Sequence, residues 1–132
     1  MIGIDSNVLV RFLTRDDEQQ YEQAKRLLLL ECTSDNPGFI NTVVMAELVW
    51  VLRKTHRVSQ DDIAAVVEHL LDIPQLLIDR GDSVKAALNL FRQSRADFTD
   101  CLIGLLNQKA GCKKSVTFDK AASKLEGFEL LC

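Results

Sequence analysis

Four carboxylates stand where a freely solvated acid is not the obvious residue. Asp5 closes one apolar run, Glu47 lies inside a second, Asp100 comes early in a third and Asp119 closes a fourth. Glu47 is the most informative of them. From Val43 to Leu52 it is the only side chain that is not apolar, and at about 100° per residue it falls between Val43 and Val51 on a helix surface. A carboxylate buried there is costly without a partner, and the nearest cations along the helix, Arg53 and Lys54, lie beyond one turn. A metal ion or a water held by one would be a fitting partner; the structural alternative is a narrow exposed helix edge that Glu47 marks. The other three also have plain structural readings. Asp5 can be a turn residue between strand and helix, and Asp119 can cap a following helix. In the run from Asp97 to Cys101 the first Asp suits an N-cap and Asp100 the third helical position, where an acid is favoured. Asp100 is explained less completely, because it shares a helix face with Gly104 and Asn107 among Leu102, Ile103, Leu105 and Leu106, a face with room for a metal and its waters.

Carboxylates gathered at one site repel each other and take up protons unless a cation compensates them. An all-oxygen site with no His or Cys points to the hard ions Mg²⁺ or Mn²⁺ and away from zinc. The cysteines, Cys32, Cys101, Cys112 and Cys132, are irregularly spaced, and His56 and His69 complete no zinc pattern. A formal net charge of −3 weighs against a nucleic-acid partner, but an acidic cluster loaded with divalent metal is neutral or positive in the working protein.

The elements that must position these acids can be read from periodicity and caps. Met1 to Asp5 is a strand, with Ser6 capping a helix through Val8, Leu9, Phe12 and Leu13. Asp16, Asp17 and Glu18 supply the acidic first turn of a second helix through Leu30, which stops before Asn36, Pro37 and Gly38. A strand follows from Gly38 to Asn41, then a helix from Thr42 to Lys54. Ser59 with Asp62 resembles a capping box for a fourth helix through Leu71. Gln75 to Ile78 is a strand, and Asp82 or Ser83 caps a fifth helix through Phe91. The last third has a helix from about Phe98 to Ala110, a strand Ser115 to Phe118, a short helix after Asp119 and a strand Phe128 to Leu131. Strands alternating with helices argue an α/β layered fold around a mostly parallel central sheet flanked by helices. The nearly all-apolar third helix is either internal or faces a partner.

With 132 residues, 47% hydrophobic and 27% charged, the chain matches one ordinary globular domain, residues 1–132. It has no run of roughly 18 apolar residues and no leader-like start, so a cytoplasmic protein with reduced thiols is expected.

The motifs IGIDSNVLV (Ile2 to Val10), VMAELVWVL (Val44 to Leu52), ADFTDCLI (Ala96 to Ile103) and VTFDK (Val116 to Lys120) resemble, in order and spacing, those of PIN-domain ribonucleases. The likeness spans essentially the whole length and is greatest to the VapC-type toxins of toxin–antitoxin pairs. It implies a PIN-like three-layer fold and a metal-dependent endoribonuclease in which Asp5, Glu47, Asp100 and Asp119 bind Mg²⁺ or Mn²⁺. Asn7 and Thr117 are then polar neighbours able to hold a water or ligand, and Asp97 a helix cap beside the site. Ser6 stands where Thr is also common in that family. Contacts to the RNA backbone can come from Arg11, Arg15 or Arg53, with Lys54 and Arg57 as further candidates. The same resemblance implies a cognate antitoxin whose tail covers the active site, and a homodimer. A housekeeping RNA-processing nuclease, a Mg²⁺-dependent α/β phosphatase and a non-catalytic receiver or RNA-binding module are the alternatives. The phosphatase would need a DxD pattern, and Asn7 occupies its third position.

Overall fold

The computed structural model describes residues 1–131; Cys132, one of the thiols expected to be reduced, lies outside them. The chain forms two compact units, the first Met1–Gly81 and the second beginning at Asp82.

In the first unit the order is β1 (Ile2–Gly3), α1 (Ser6–Thr14), α2 (Glu18–Arg26), β2 (Gly38–Ile40), α3 (Thr42–Lys54), α4 (Gln60–Asp72) and β3 (Leu76–Ile78). The strands form one parallel sheet in the order β1-β2-β3, with Ile2 opposite Gly38 and Phe39 opposite Leu77. Parallel neighbours require long crossovers, and the helices supply them. Each helix start is stated by a short polar side chain that accepts a backbone N–H. Asp17 accepts from Gln20 at 3.0 Å, Asn41 from Val44 at 2.8 Å and Ser59 from Asp62 at 3.2 Å. The α1 start differs from expectation by one residue. Asp5 is its N-cap, accepting from the Ser6 amide at 2.8 Å, and Ser6 is buried inside the first turn.

The second helix also departs from a continuous α-helix. After Arg26 it widens into a π turn, Leu27–Glu31, closed by the Cys32 amide on the Leu27 carbonyl at 2.9 Å. The wider turn buries Leu28 and leaves Leu29 and Leu30 exposed. At Gly38 a Cβ would stand 3.0 Å from Leu76 and 3.1 Å from both Cys32 and Ile4, so the middle strand keeps glycine to let its neighbours close in. Leu9, Ile40, Met45, Leu48 and Ile63 are sealed from solvent at the centre of this unit.

The second unit contains α5 (Gly81–Gln93, whose first residue closes the preceding unit), α6 (Phe98–Lys109), β4 (Ser115–Thr117), a short 3₁₀ turn (Ala122–Lys124) and β5 (Phe128–Leu130). β4 and β5 pair in parallel, Ser115 opposite Phe128. Helix α5 begins before either expected cap, which places Asp82 in its first turn and buries Ser83. Phe91 meets Phe98 edge to face, ring centres 6.0 Å apart.

Among the described residues every strand pair is parallel and six α-helices accompany them, as an α/β fold requires. The ladders fall into two sheets among the described residues: β1 pairs with β2 and β2 with β3, and β4 with β5. Among the described residues no helix is long and apolar enough to cross a membrane.

Candidate functional site

Two of the four acids meet in the first unit through an intermediary. Asp5 caps α1, and the next residue, Ser6, donates its hydroxyl to Oε1 of Glu47 on α3. The bond exists because α1 packs against α3, while Ser6 faces inward from the first turn of its helix. One Asp5 oxygen is engaged by the Ser6 amide at 2.8 Å, a placement the positive end of α1 favours for an anion. Of the two readings open for Glu47, burial against a partner is corrected and the exposed helix edge is what the structure shows. Glu47 is exposed, on an edge of α3 that also carries Val43, 71% exposed, and Trp50, 58% exposed. The three recur at i, i+4 and i+7, so α3 buries one face and presents a mostly apolar edge interrupted by one acid. What marks Glu47 is its tie to the residue after Asp5.

The other acids meet in the second unit. Asp97 occupies the N-cap position of α6 but its side chain makes no capping hydrogen bond. Asp100, half-buried in the first turn, has its carboxyl pushed above the usual aspartate range, first by burial and then by the charges of Asp119 and Asp97. Asp119 does act as a cap, accepting from the Ala122 amide at 2.8 Å. Its own amide donates to the Thr117 hydroxyl at 3.0 Å, which turns the chain at the end of β4 and places the acid two residues beyond that strand's last residue.

On the face that Asp100 shares with Gly104 and Asn107, those two residues serve contacts with β5 and β4. A Cβ on Gly104 would stand 2.5 Å from the Phe128 ring, so the glycine is a seat for that ring. Asn107 donates to the Ser115 hydroxyl at 2.9 Å and joins α6 to β4. Both residues are structural. No sequence pattern pairs Gly104 with a ring 24 positions later, because the contact forms only when α6 packs on β5.

The arginines separate by environment. Arg15 is bound to Glu18 at 2.8 Å and stacks over Tyr21 at 4.3 Å. Arg53 donates to the Val58 carbonyl at 3.3 Å and secures the chain after α3. Arg11 bonds Gln20 across a cleft that Asn7 also lines. Cys32 and Cys101 are buried and Cys112 is exposed, all as free thiols; burial pushes the Cys101 thiol up to about 11, which keeps it protonated and without nucleophilic use.

Among the described residues no three His, Cys, Asp or Glu side chains are drawn together in a metal-holding arrangement. The donor set is nevertheless that of a hard divalent cation. The chemistry offered is carboxylate and hydroxyl oxygen, and the crowding on Asp100 is of the kind that a cation relieves. A comparison with curated proteins gave no match. The family model described as PIN domain matches residues 2–127, a stretch that contains Asp5, Glu47, Asp97, Asp100 and Asp119. PIN domains are a nuclease family, generally metal-dependent and typically using Mg²⁺. A match over nearly the full length, on an α/β chain whose strands all pair in parallel, establishes that this chain belongs to the PIN-domain family.

Proposed function

We propose that this PIN domain is a Mg²⁺- or Mn²⁺-dependent endoribonuclease and the toxin of a type II toxin–antitoxin pair, with Asp5, Glu47, Asp100 and Asp119 as the ligands of its metal. The observation that carries the reading is the crowding at Asp100, whose carboxyl is held high by burial and by two neighbouring acids in a chain of a metal-using nuclease family.

When bound, the divalent ion supplies compensation of the acids' charge and polarisation of the phosphate and the attacking water, for in-line hydrolysis to a 5′-phosphate and a 3′-hydroxyl. The chain's own residues do the positioning. Ser6 holds one Glu47 oxygen and leaves the other for a ligand. The cap on α1 fixes Asp5 with one oxygen engaged, and the Thr117 turn does the same for Asp119. Deprotonated Asp100 is the donor that a cation would draw out, because binding it removes the repulsion that keeps the proton on.

The exposed apolar edge of α3, with Val43 and Trp50, supports a protein partner at that face. We assign it to the homodimer, and assign to the antitoxin tail the masking of the acids. Cleavage of an RNA panel with Mg²⁺, with Mn²⁺ and with chelator tests the enzymatic reading. The wild type is expected to cleave only with metal, and Asp5→Asn and Asp100→Asn to fall to background; full activity in Asp5→Asn would overturn it. A small DNA-binding protein with an Arg-bearing tail, encoded beside this chain and abolishing cleavage when added, is the expected result for the toxin assignment. Its absence favours a housekeeping RNA-processing nuclease.

A further inference from the structure

Helices α1 and α2 enclose a cleft of about 370 Å³, lined by Asn7, Val8, Arg11, Gln20, Gln23, Ala24 and Leu27. Its chemistry is unlike that of a groove for an apolar helix. Asn7 and Arg11 project from one face of α1, four residues and so about 6 Å of rise apart. Gln20 and Gln23 project from α2, while Val8, Ala24 and Leu27 give an aliphatic floor. Three carboxamides and one guanidinium thus surround a space of a size to admit a planar heterocycle. The Arg11 guanidinium donates to the Gln20 carbonyl oxygen, which orients that amide and leaves its NH₂ as a donor. Among the described residues the Gln23 carboxamide has no protein hydrogen-bond partner, so its donor and its acceptor both remain for a ligand. The cleft also begins where the acids are: Asn7 stands two residues beyond Asp5, in the same first turn of α1.

We propose that this cleft is a base-recognition subsite for the RNA nucleotide beside the scissile phosphate, with Gln23 and Gln20 reading the edge of an adenine and Arg11 holding its phosphate. The inference rests on the nuclease reading above and deepens it by naming what selects the cleavage site. A carboxamide places a donor and an acceptor side by side, the complement of adenine N7 and N6. The aliphatic floor packs on the base face, and the guanidinium N–H groups not used by Gln20 point a cation at the backbone. A protein segment is the less suited occupant, because the polar lining would need three amides matched at once over a short stretch of chain.

The test is the cleavage-site profile of the full chain on a randomised RNA pool with Mg²⁺, for the wild type, Gln20→Ala and Gln23→Ala, with melting curves to show that the variants fold. Both residues are exposed, so the fold is expected to survive. The wild type should favour adenine at one position next to the cut by roughly tenfold over the other bases, and Gln23→Ala should flatten that preference. An unchanged profile in both variants overturns the proposal while leaving the nuclease standing. A second measurement is independent of cleavage: side-chain amide NMR signals followed in metal-free protein during titration with RNA pentamers that differ in one base. Adenine-selective shifts at Gln23 support the subsite even if no RNA is cut, in which case only the nuclease reading fails. Absence of such shifts overturns it and returns the cleft to a protein partner.

Discussion

Asp100 is pulled two ways by its surroundings. Burial and the charges of Asp119 and Asp97 favour the protonated form, whereas a metal ligand must be ionised. Since its folded-state carboxyl lies above the unfolded range, the metal-free protein binds the proton more tightly when folded. The stability this contributes is complete below the ordinary aspartate range and is lost as pH rises through the raised one. Metal-free protein is therefore expected to melt lower at neutral pH than a version with Asp100→Asn, by no more than a few degrees because solvent screens a half-exposed group. Adding Mg²⁺ should raise the Tm of the wild type and not that of the variant; thermal melts at two pH values, with and without metal, check both. Ser6 makes a second prediction at this scale. As a positioning residue, its loss in Ser6→Ala should lower metal affinity or activity by roughly 10–100-fold, with Ser6→Thr restoring it. A Mg²⁺ titration of cleavage separates a shifted metal requirement from a lowered plateau.

At the scale of elements, helix α6 is seated on β5 through a missing side chain. Gly104 costs helix propensity, about 1 kcal/mol against alanine, yet a Cβ there would reach within 2.5 Å of the Phe128 ring. Gly104→Ala is expected to destabilise despite the better propensity, since overpacking costs about 1–3 kcal/mol. The double variant Gly104→Ala with Phe128→Leu should recover part of the loss, and urea melts of the three proteins measure it. The helix starts were legible to within a residue or two because a cap is a local event. Ser59 caps α4 as read, whereas Asp17, read inside the first turn of α2, and Asn41, read as the end of a strand, prove to be caps, each bonding an amide three residues on. Where a choice lay between adjacent polar residues it went differently. Asp5 rather than Ser6 caps α1, and α5 starts ahead of Asp82 and Ser83, because packing drew each serine inward.

For the whole molecule, the exposed edge of α3 is the feature with the largest consequence. Val43 and Trp50 present apolar surface to solvent in the single chain, at 71% and 58% exposure. If the homodimer covers them, Val43→Glu with Trp50→Glu should convert the protein to monomer in analytical ultracentrifugation without lowering the Tm of the monomer, since neither side chain is in the core. A wild type that is already monomeric at high concentration, or an unchanged dimer in the double variant, sinks the assignment. The acids, their order, the alternation of strands with helices and the placement of most helices were determined by sequence alone, because periodicity and capping act within a few residues. Tertiary structure alone decided which apolar faces are covered and what each acid touches. A helix pattern shows that α3 is apolar nearly all round and that Glu47 marks one edge of it, but does not decide whether that edge is covered or left in the open. Likewise the bond from Ser6 to Glu47 joins residues 41 positions apart, and the Gly104 seat for Phe128 exists only once α6 and β5 meet. Such contacts depend on how elements pack, a long-range outcome that no local run of residues states.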